Sequence, residues 1–139
     1  MNRNILAAFS LAEDRRALQH ILGDAHRQLH FTSTFAELQT ALRTSLFAVA
    51  ITDSQLRDGC RWTDVLAELQ SLPYPPPLIV ADPLADDSLW AEVLNLGAFD
   101  LLAKPFEARE VLHAVNSACC RFASLEHARD SLRAKPAAV

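Results

Sequence analysis

The sequence predicts a doubly wound α/β fold, one open parallel sheet with helices on both faces. Three observations predict it. Apolar strand-like runs alternate with helix-spaced stretches five times along the chain. The central run, Phe47 to Thr52, is continuously apolar, as a strand buried on both faces of a parallel sheet must be. Phe9, Asp53, Asp82 and Lys104 all fall at or beside the carboxyl ends of such runs, where ligands bind in sheets of this kind.

Taken in order, the first strand is expected at Ile5 to Phe9, followed by a helix from Leu11 to Leu22 with Leu11, Leu18, Ile21 and Leu22 on one face. Ser10-Leu11-Ala12-Glu13 has the spacing of a capping box for that helix, and Gly23 closes it. Gln28 to Phe31 reads as a short second strand. Phe35 to Arg43 reads as a helix with Phe35, Leu38 and Leu42 at helical spacing, opened by a Thr34/Glu37 capping box. After the third strand, the turn Leu56-Arg57-Asp58-Gly59 leads to a helix around Thr63 to Gln70. Pro73, Pro75, Pro76 and Pro77 form a stiff connector, because proline can neither donate to a ladder nor sit inside a helix. Leu78 to Ala81, Ser88 to Leu96 and Ala98 to Ala103 read as strand, helix and strand. A last helix begins near Glu107 with Val111, Leu112 and Val115 facing the sheet. Ala118, Phe122, Leu125 and Leu132 continue a heptad-like apolar stripe that Arg129 interrupts, an extension suited to pairing, docking or fraying. The division expected is a domain over 1–122 and a C-terminal helical extension or tail over 123–139, with no output domain attached.

Composition narrows the function. At 139 residues, 50% hydrophobic and 22% charged, the chain has the make-up of one ordered domain with a sizeable core. A net charge of −4 argues against a nucleic-acid footprint, which needs a clustered basic face. No apolar run is long enough to span a bilayer, and the start lacks the apolar core of a signal peptide. Three cysteines, Cys60 and the pair Cys119-Cys120, make neither a disulfide framework nor a zinc spacing, which fits a reduced, cytoplasmic setting. The five histidines are scattered, so no transition-metal site is expected.

Two motifs carry chemistry. Asp53-Ser54-Gln55-Leu56-Arg57-Asp58-Gly59 places an acid at a strand end, six residues before a turn glycine. Gly97-Ala98-Phe99-Asp100-Leu101-Leu102-Ala103-Lys104-Pro105-Phe106 ends a strand in Lys-Pro. Both resemble the response-regulator receiver domain, specifically a chemotaxis-type single-domain regulator, over roughly residues 3 to 120. The resemblance implies a flavodoxin-like five-stranded sheet of order 2-1-3-4-5 and a cis peptide before Pro105. It also implies that Asp53 is the phosphoacceptor and that Lys104 pairs with the phosphate. An acid and a cation at adjacent strand ends suit phosphoryl transfer, which needs positioning and charge neutralisation more than covalent chemistry. The alternative for the pair is a structural ion pair at the sheet edge.

The chain departs from the family pattern at Arg57, where a proline usually precedes the Asp-Gly, and at four positions of the pocket. An acidic pair after the first strand helps hold Mg²⁺ in the family, whereas this chain has Phe9 and Ser10. Mg²⁺ wants hard oxygen ligands, which a phenyl ring cannot supply. Glu13 and Asp14 are acidic but are expected to point away from the site, so Mg²⁺ binding is expected to be weak, with Asp53 its sole protein carboxylate. Asp82 replaces the threonine or serine whose hydroxyl bonds a phosphate oxygen. It would repel a phosphoryl group by roughly 3 kcal/mol per charge pair at about 5 Å. Asp53 and Asp82 are expected to raise each other's pKa unless Lys104 bridges them, and an Asp82–Lys104 salt bridge is the favoured arrangement; Asp82 as a replacement metal ligand is the lesser one. Leu101 stands where the family has a switch aromatic.

These features favour an atypical receiver that acts by protein–protein interaction in two-component signalling and is not an enzyme. The competing reading is a conventional receiver phosphorylated at Asp53 by a histidine kinase or phosphotransfer protein. Expected partners are a histidine kinase, a phosphotransfer protein or an output protein, contacted through the face of the fourth helix, fifth strand and fifth helix, with the chain a monomer or weak homodimer. Trp90 lies on that fourth helix, on either its core or its solvent side. An unrelated flavodoxin-like enzyme is disfavoured because the chain has only three glycines and no phosphate-binding glycine loop.

Overall fold

A computed structural model of the chain describes residues 3–23 and 26–134. Five strands, β1 (Asn4–Ala8), β2 (Gln28–Thr32), β3 (Val49–Asp53), β4 (Leu78–Asp82) and β5 (Asp100–Ala103), alternate with five helices. The helices are α1 (Ala12–Leu22), α2 (Phe35–Thr44), α3 (Trp62–Gln70), α4 (Asp87–Leu96) and α5 (Ala108–Ala134). The strands form one parallel sheet in the order β2-β1-β3-β4-β5, as expected.

Successive side chains of a strand point to opposite faces, and this alternation builds two cores. Leu6, Ala8, Ala50, Leu78, Val80 and Leu101 pack with Leu38, Trp62, Val65, Leu69 and Val93 beneath α2, α3 and α4. Ile5, Ala7, Phe9, Val49, Ile51, Ile79, Ala81 and Leu102 pack with Leu18, Leu22, Val111 and Val115 beneath α1 and α5. All five residues of β3 are buried, because both of its faces and both of its edges are covered. Each fully buried aliphatic side chain of this kind stabilises the fold by about 1.5–3 kcal/mol before conformational entropy is counted.

The register aligns the carboxyl ends. Ala8 stands opposite Thr32 and Thr52, Asp53 opposite Ala81, and Asp82 opposite Ala103. Phe9, Asp53, Asp82 and Lys104 are therefore delivered to one edge, beside the β1/β3 position where the strand order reverses.

Several local expectations are corrected. α1 starts at Ala12 with Leu11 as N-cap and no side-chain cap, so Ser10 and Glu13 do not form a capping box. Leu11 lies outside the helix and is 56% exposed rather than part of the buried face. Thr34 does cap α2, its Oγ1 accepting from the Glu37 amide at 3.2 Å. Gly23 closes α1 at φ −80°, outside the left-handed region, and its need for glycine is spatial: a Cβ would run into Gln19. Gly59 does occupy the left-handed region, at φ 88°, where its amide closes the turn onto the Leu56 carbonyl.

α5 continues unbroken past residue 122 to Ala134, and residues 135–139 of the expected tail lie outside the described residues. Ala118 and Phe122 are buried, whereas Leu125 and Leu132 are exposed. Arg129 breaks the apolar stripe because its guanidinium stacks on Tyr74, 5.0 Å from the ring centroid, tying the extension to the proline-rich connector of its own domain. Trp90 is 43% exposed on α4, which leaves it on the solvent side.

Candidate functional site

Three charged groups from three parts of the chain meet at the carboxyl edge of the sheet. Lys104 Nζ lies 2.9 Å from Asp53 Oδ1 and 2.6 Å from Asp14 Oδ2, and all three side chains are nearly buried. Asp53 ends β3, Lys104 follows β5, and Asp14 comes from the first turn of α1. Asp14 was expected to point away from the site; it points in, because residues 14, 18 and 22 share the helix face that packs on the sheet.

Beneath the ammonium lies a ring. Phe9 is fully buried, with Lys104 Nζ 5.5 Å from its centroid and the Phe106 ring edge-on at 5.9 Å. Its backbone is held firmly: its amide donates to the Thr32 carbonyl at 2.8 Å and its carbonyl accepts from Arg15 Nε at 2.7 Å. Arg15 also bonds the Ser33 hydroxyl and stacks on Phe31, so it ties α1 to the loop after β2. Ser10 contributes its backbone carbonyl to Arg57 Nη2 at 3.5 Å.

Asp82 is not paired with Lys104, contrary to the favoured expectation. Its Oδ2 accepts from Ser54 Oγ at 2.5 Å, and its Oδ1 accepts from the amides of Leu84 and Ala85 at 2.8 and 3.3 Å. The carboxylate thus organises its own β4–α4 loop, in which Ala85 sits at φ 37°, and ties that loop to the residue after Asp53. Leu101 is buried among the α2–α4 core residues. The Lys104–Pro105 peptide is cis, as the resemblance implied.

The electrostatics follow from these contacts. Burial is the largest influence on Asp53 and raises its pKa; the Lys104 hydrogen bond and charge oppose it, and the Asp14 charge adds to it. Burial alone would lower the Lys104 pKa, but the hydrogen bonds and charges of Asp14 and Asp53 outweigh it and raise the value. For Asp82, burial is outweighed by the Ser54 hydroxyl, the two loop amides and the Lys104 charge, so its pKa is lowered. Mutual elevation of Asp53 and Asp82 is therefore not what occurs. Asp53 is raised by burial and Asp14, and Asp82 moves the other way.

The site opens into a cleft of about 450 Å³ reached by Asp53, Ser54, Asp82, Asp86, Arg61 and Lys104, with Leu11 and Leu84 at its rim. The donor set does not fit the Mg²⁺ implied by the resemblance. The two nearest carboxylates, Asp14 and Asp53, already share an ammonium, the Phe9 side chain supplies no oxygen and its carbonyl is taken by Arg15, and Asp82 is engaged with its loop. Among the described residues, no group of three or more His, Cys, Asp or Glu side chains could hold a metal ion. No helix among them is long and apolar enough to cross a membrane.

Asp14, Arg15, Ser54, Arg61 and Asp86 belong to this site without being singled out by the motifs. The signal for Asp14 was its four-residue spacing to Leu18 and eight-residue spacing to Leu22. Ser54 adjoins Asp53 and had no distinguishing pattern.

No protein-family model matches the sequence, and no curated protein matches it. Solved structures do match. The signal receiver domain of an HD domain-containing protein from Pseudomonas fluorescens Pf-5 is 23% identical, with 91% of this chain and 93% of that chain covered and a TM-score of 0.80. A CheY-like response regulator receiver domain protein from Methanospirillum hungatei is 19% identical over 89% and 98%, with a TM-score of 0.76. The chemotaxis response regulator CheY4 of Vibrio cholerae is 17% identical over 85% and 99%, with a TM-score of 0.74. The five-stranded 2-1-3-4-5 sheet, the five helices and these likenesses lead to one conclusion: the chain has the fold of response-regulator receiver domains.

Proposed function

We propose that the chain is an atypical receiver in two-component signal transduction, acting by protein–protein contact with weak or no Mg²⁺-dependent phosphorylation of Asp53. One observation carries this reading: the Lys104 ammonium occupies the space between Asp14 and Asp53, above a buried Phe9 ring, where a metal-assisted site needs a cation among free carboxylate oxygens. Its partners are a histidine kinase, a phosphotransfer protein or an output protein, and its place is the cytoplasm. It is a signalling module rather than an enzyme.

A second reading is a conventional phosphoacceptor. The arrangement of Asp53 beside Lys104 on an open cleft favours it. The experiment that separates the two is incubation with acetyl phosphate and Mg²⁺, read by intact mass and by Phos-tag electrophoresis. The proposed function predicts no adduct or a substoichiometric one. A stoichiometric phosphoryl adduct that disappears in Asp53→Asn supports the conventional reading instead.

A further inference from the structure

Asp14 has no part in the motifs that define the site, yet it makes the shorter of the two contacts to Lys104. It reaches in from a helix while Phe9 fills the strand end, so the acid present here approaches from a different element. We propose that Asp14 is a positioning residue that makes the site reject phosphoryl anions, by holding the Lys104 ammonium in a bridge to Asp53 and leaving the buried cluster with one uncompensated negative charge. This deepens the reading of an atypical receiver and rests on it.

The charge count carries the argument. Two carboxylates surround one ammonium, so the cluster is net negative by one when all three are charged. Asp82 and Asp86 add two negative charges to the cleft lining and Arg61 adds one positive charge, while Arg15 and Arg57, bonded to the Phe9 and Ser10 carbonyls, are not part of that lining. An anion entering to reach Asp53 meets this excess beside the nearly buried cluster, where charges interact more strongly than in bulk water. Its natural counter-charge, the Lys104 ammonium, is already engaged by two acceptors at 2.6 and 2.9 Å. Neutralising residue 14 changes both conditions together: the cluster becomes electrically balanced, and one Lys104 donor direction is released from a charged partner.

The test is a comparison of wild type, Asp14→Asn and Glu13→Gln, the last altering an exposed acid one residue away. Beryllofluoride is the probe, titrated at constant Mg²⁺ and followed by ¹⁹F NMR of the bound anion. The chain has only two lysines, Lys104 and Lys135, so ¹³Cε-lysine labelling follows Lys104 with little overlap. Thermal melts establish that each variant is folded, and Asp14→Ser serves as a second neutral variant.

The expected result is binding to Asp14→Asn about tenfold or more tighter than to wild type, with the Lys104 signal moving on saturation, while Glu13→Gln behaves as wild type. A folded Asp14→Asn, with Asp14→Ser in agreement, that stays silent or binds within about twofold of wild type overturns the proposal. If wild type is silent too, the atypical-receiver reading survives and only the role of Asp14 falls. If wild type binds saturably and the variants bind no tighter, both fall.

Discussion

The Lys104 ammonium joins Asp14, in the first turn of α1, to Asp53 at the end of β3 through contacts of 2.6 and 2.9 Å. A buried ion cluster is held by its completeness, because removing one member leaves the others desolvated and unpaired. Lys104→Met should therefore destabilise the protein by about 3 kcal/mol or more, measured by urea unfolding at neutral pH. Adding Asp14→Asn to Lys104→Met should recover part of that loss. A double-mutant cycle showing no coupling between positions 14 and 104 would contradict the geometry.

Phe9 is the second determinant. Its ring is fully buried between the Lys104 ammonium and Phe106, so Phe9→Asp both empties an aromatic site and buries a third carboxylate. The expected cost is about 4 kcal/mol in urea unfolding with EDTA present. A loss below about 1 kcal/mol would mean that the strand end is more open than its packing indicates.

The pKa directions fix signs for the pH dependence of stability. Asp53 has its pKa raised above the ordinary 3.8, so the native state holds that proton more tightly than the unfolded chain. Its contribution is most favourable below 3.8 and is lost as pH rises through the native value. Asp82, lowered from 3.8, contributes fully above 3.8 and loses its contribution as pH falls through its native value. Lys104, raised from 10.5, contributes fully below 10.5 and loses its contribution as pH rises through its native value. Relative to wild type, Asp53→Asn should therefore gain stability between about pH 3 and pH 7, and Asp82→Asn should lose it over the same range. Urea midpoints at the two pH values, at constant ionic strength, measure both differences.

Asp82 also has a mechanical role. Its carboxylate gathers the Ser54 hydroxyl and the Leu84 and Ala85 amides, fixing the β4–α4 loop to the residue after Asp53. Asp82→Ala should cost about 1–2 kcal/mol and speed amide exchange at Leu84 and Ala85, read by hydrogen-exchange NMR. Unchanged exchange at those two amides would show that the loop holds its shape without the carboxylate.

The parts of this architecture most legible in the sequence are those set by periodicity. The continuous apolar runs of β1 and into Asp53 mark strands buried on both faces before any contact is known, and strand ends place Asp53 and Lys104 together. The illegible parts are choices among competing polar partners. Asp82 was expected to reach Lys104, but nearby donors at Leu84 and Ala85 cost less chain entropy to engage, and Ser54 completes the set. Asp14 is a charged residue on a helix, which favours a solvent-facing expectation, but it shares the buried face of Leu18 and Leu22 because Lys104 pairs with it there. Arg129 interrupts an apolar stripe in the sequence, and its partner, Tyr74, lies 55 positions earlier, beyond the reach of any local pattern.

The most direct test of the central claim is Mg²⁺ titration of the wild-type protein with and without beryllofluoride, followed by amide NMR and repeated on Asp53→Asn. The account predicts no saturable shift around Asp53 at millimolar Mg²⁺ from a folded protein, because the Lys104 ammonium already stands between the two nearest carboxylates. Saturable, Mg²⁺-dependent shifts centred on Asp53 and absent from Asp53→Asn would contradict it and assign the chain a phosphoacceptor role.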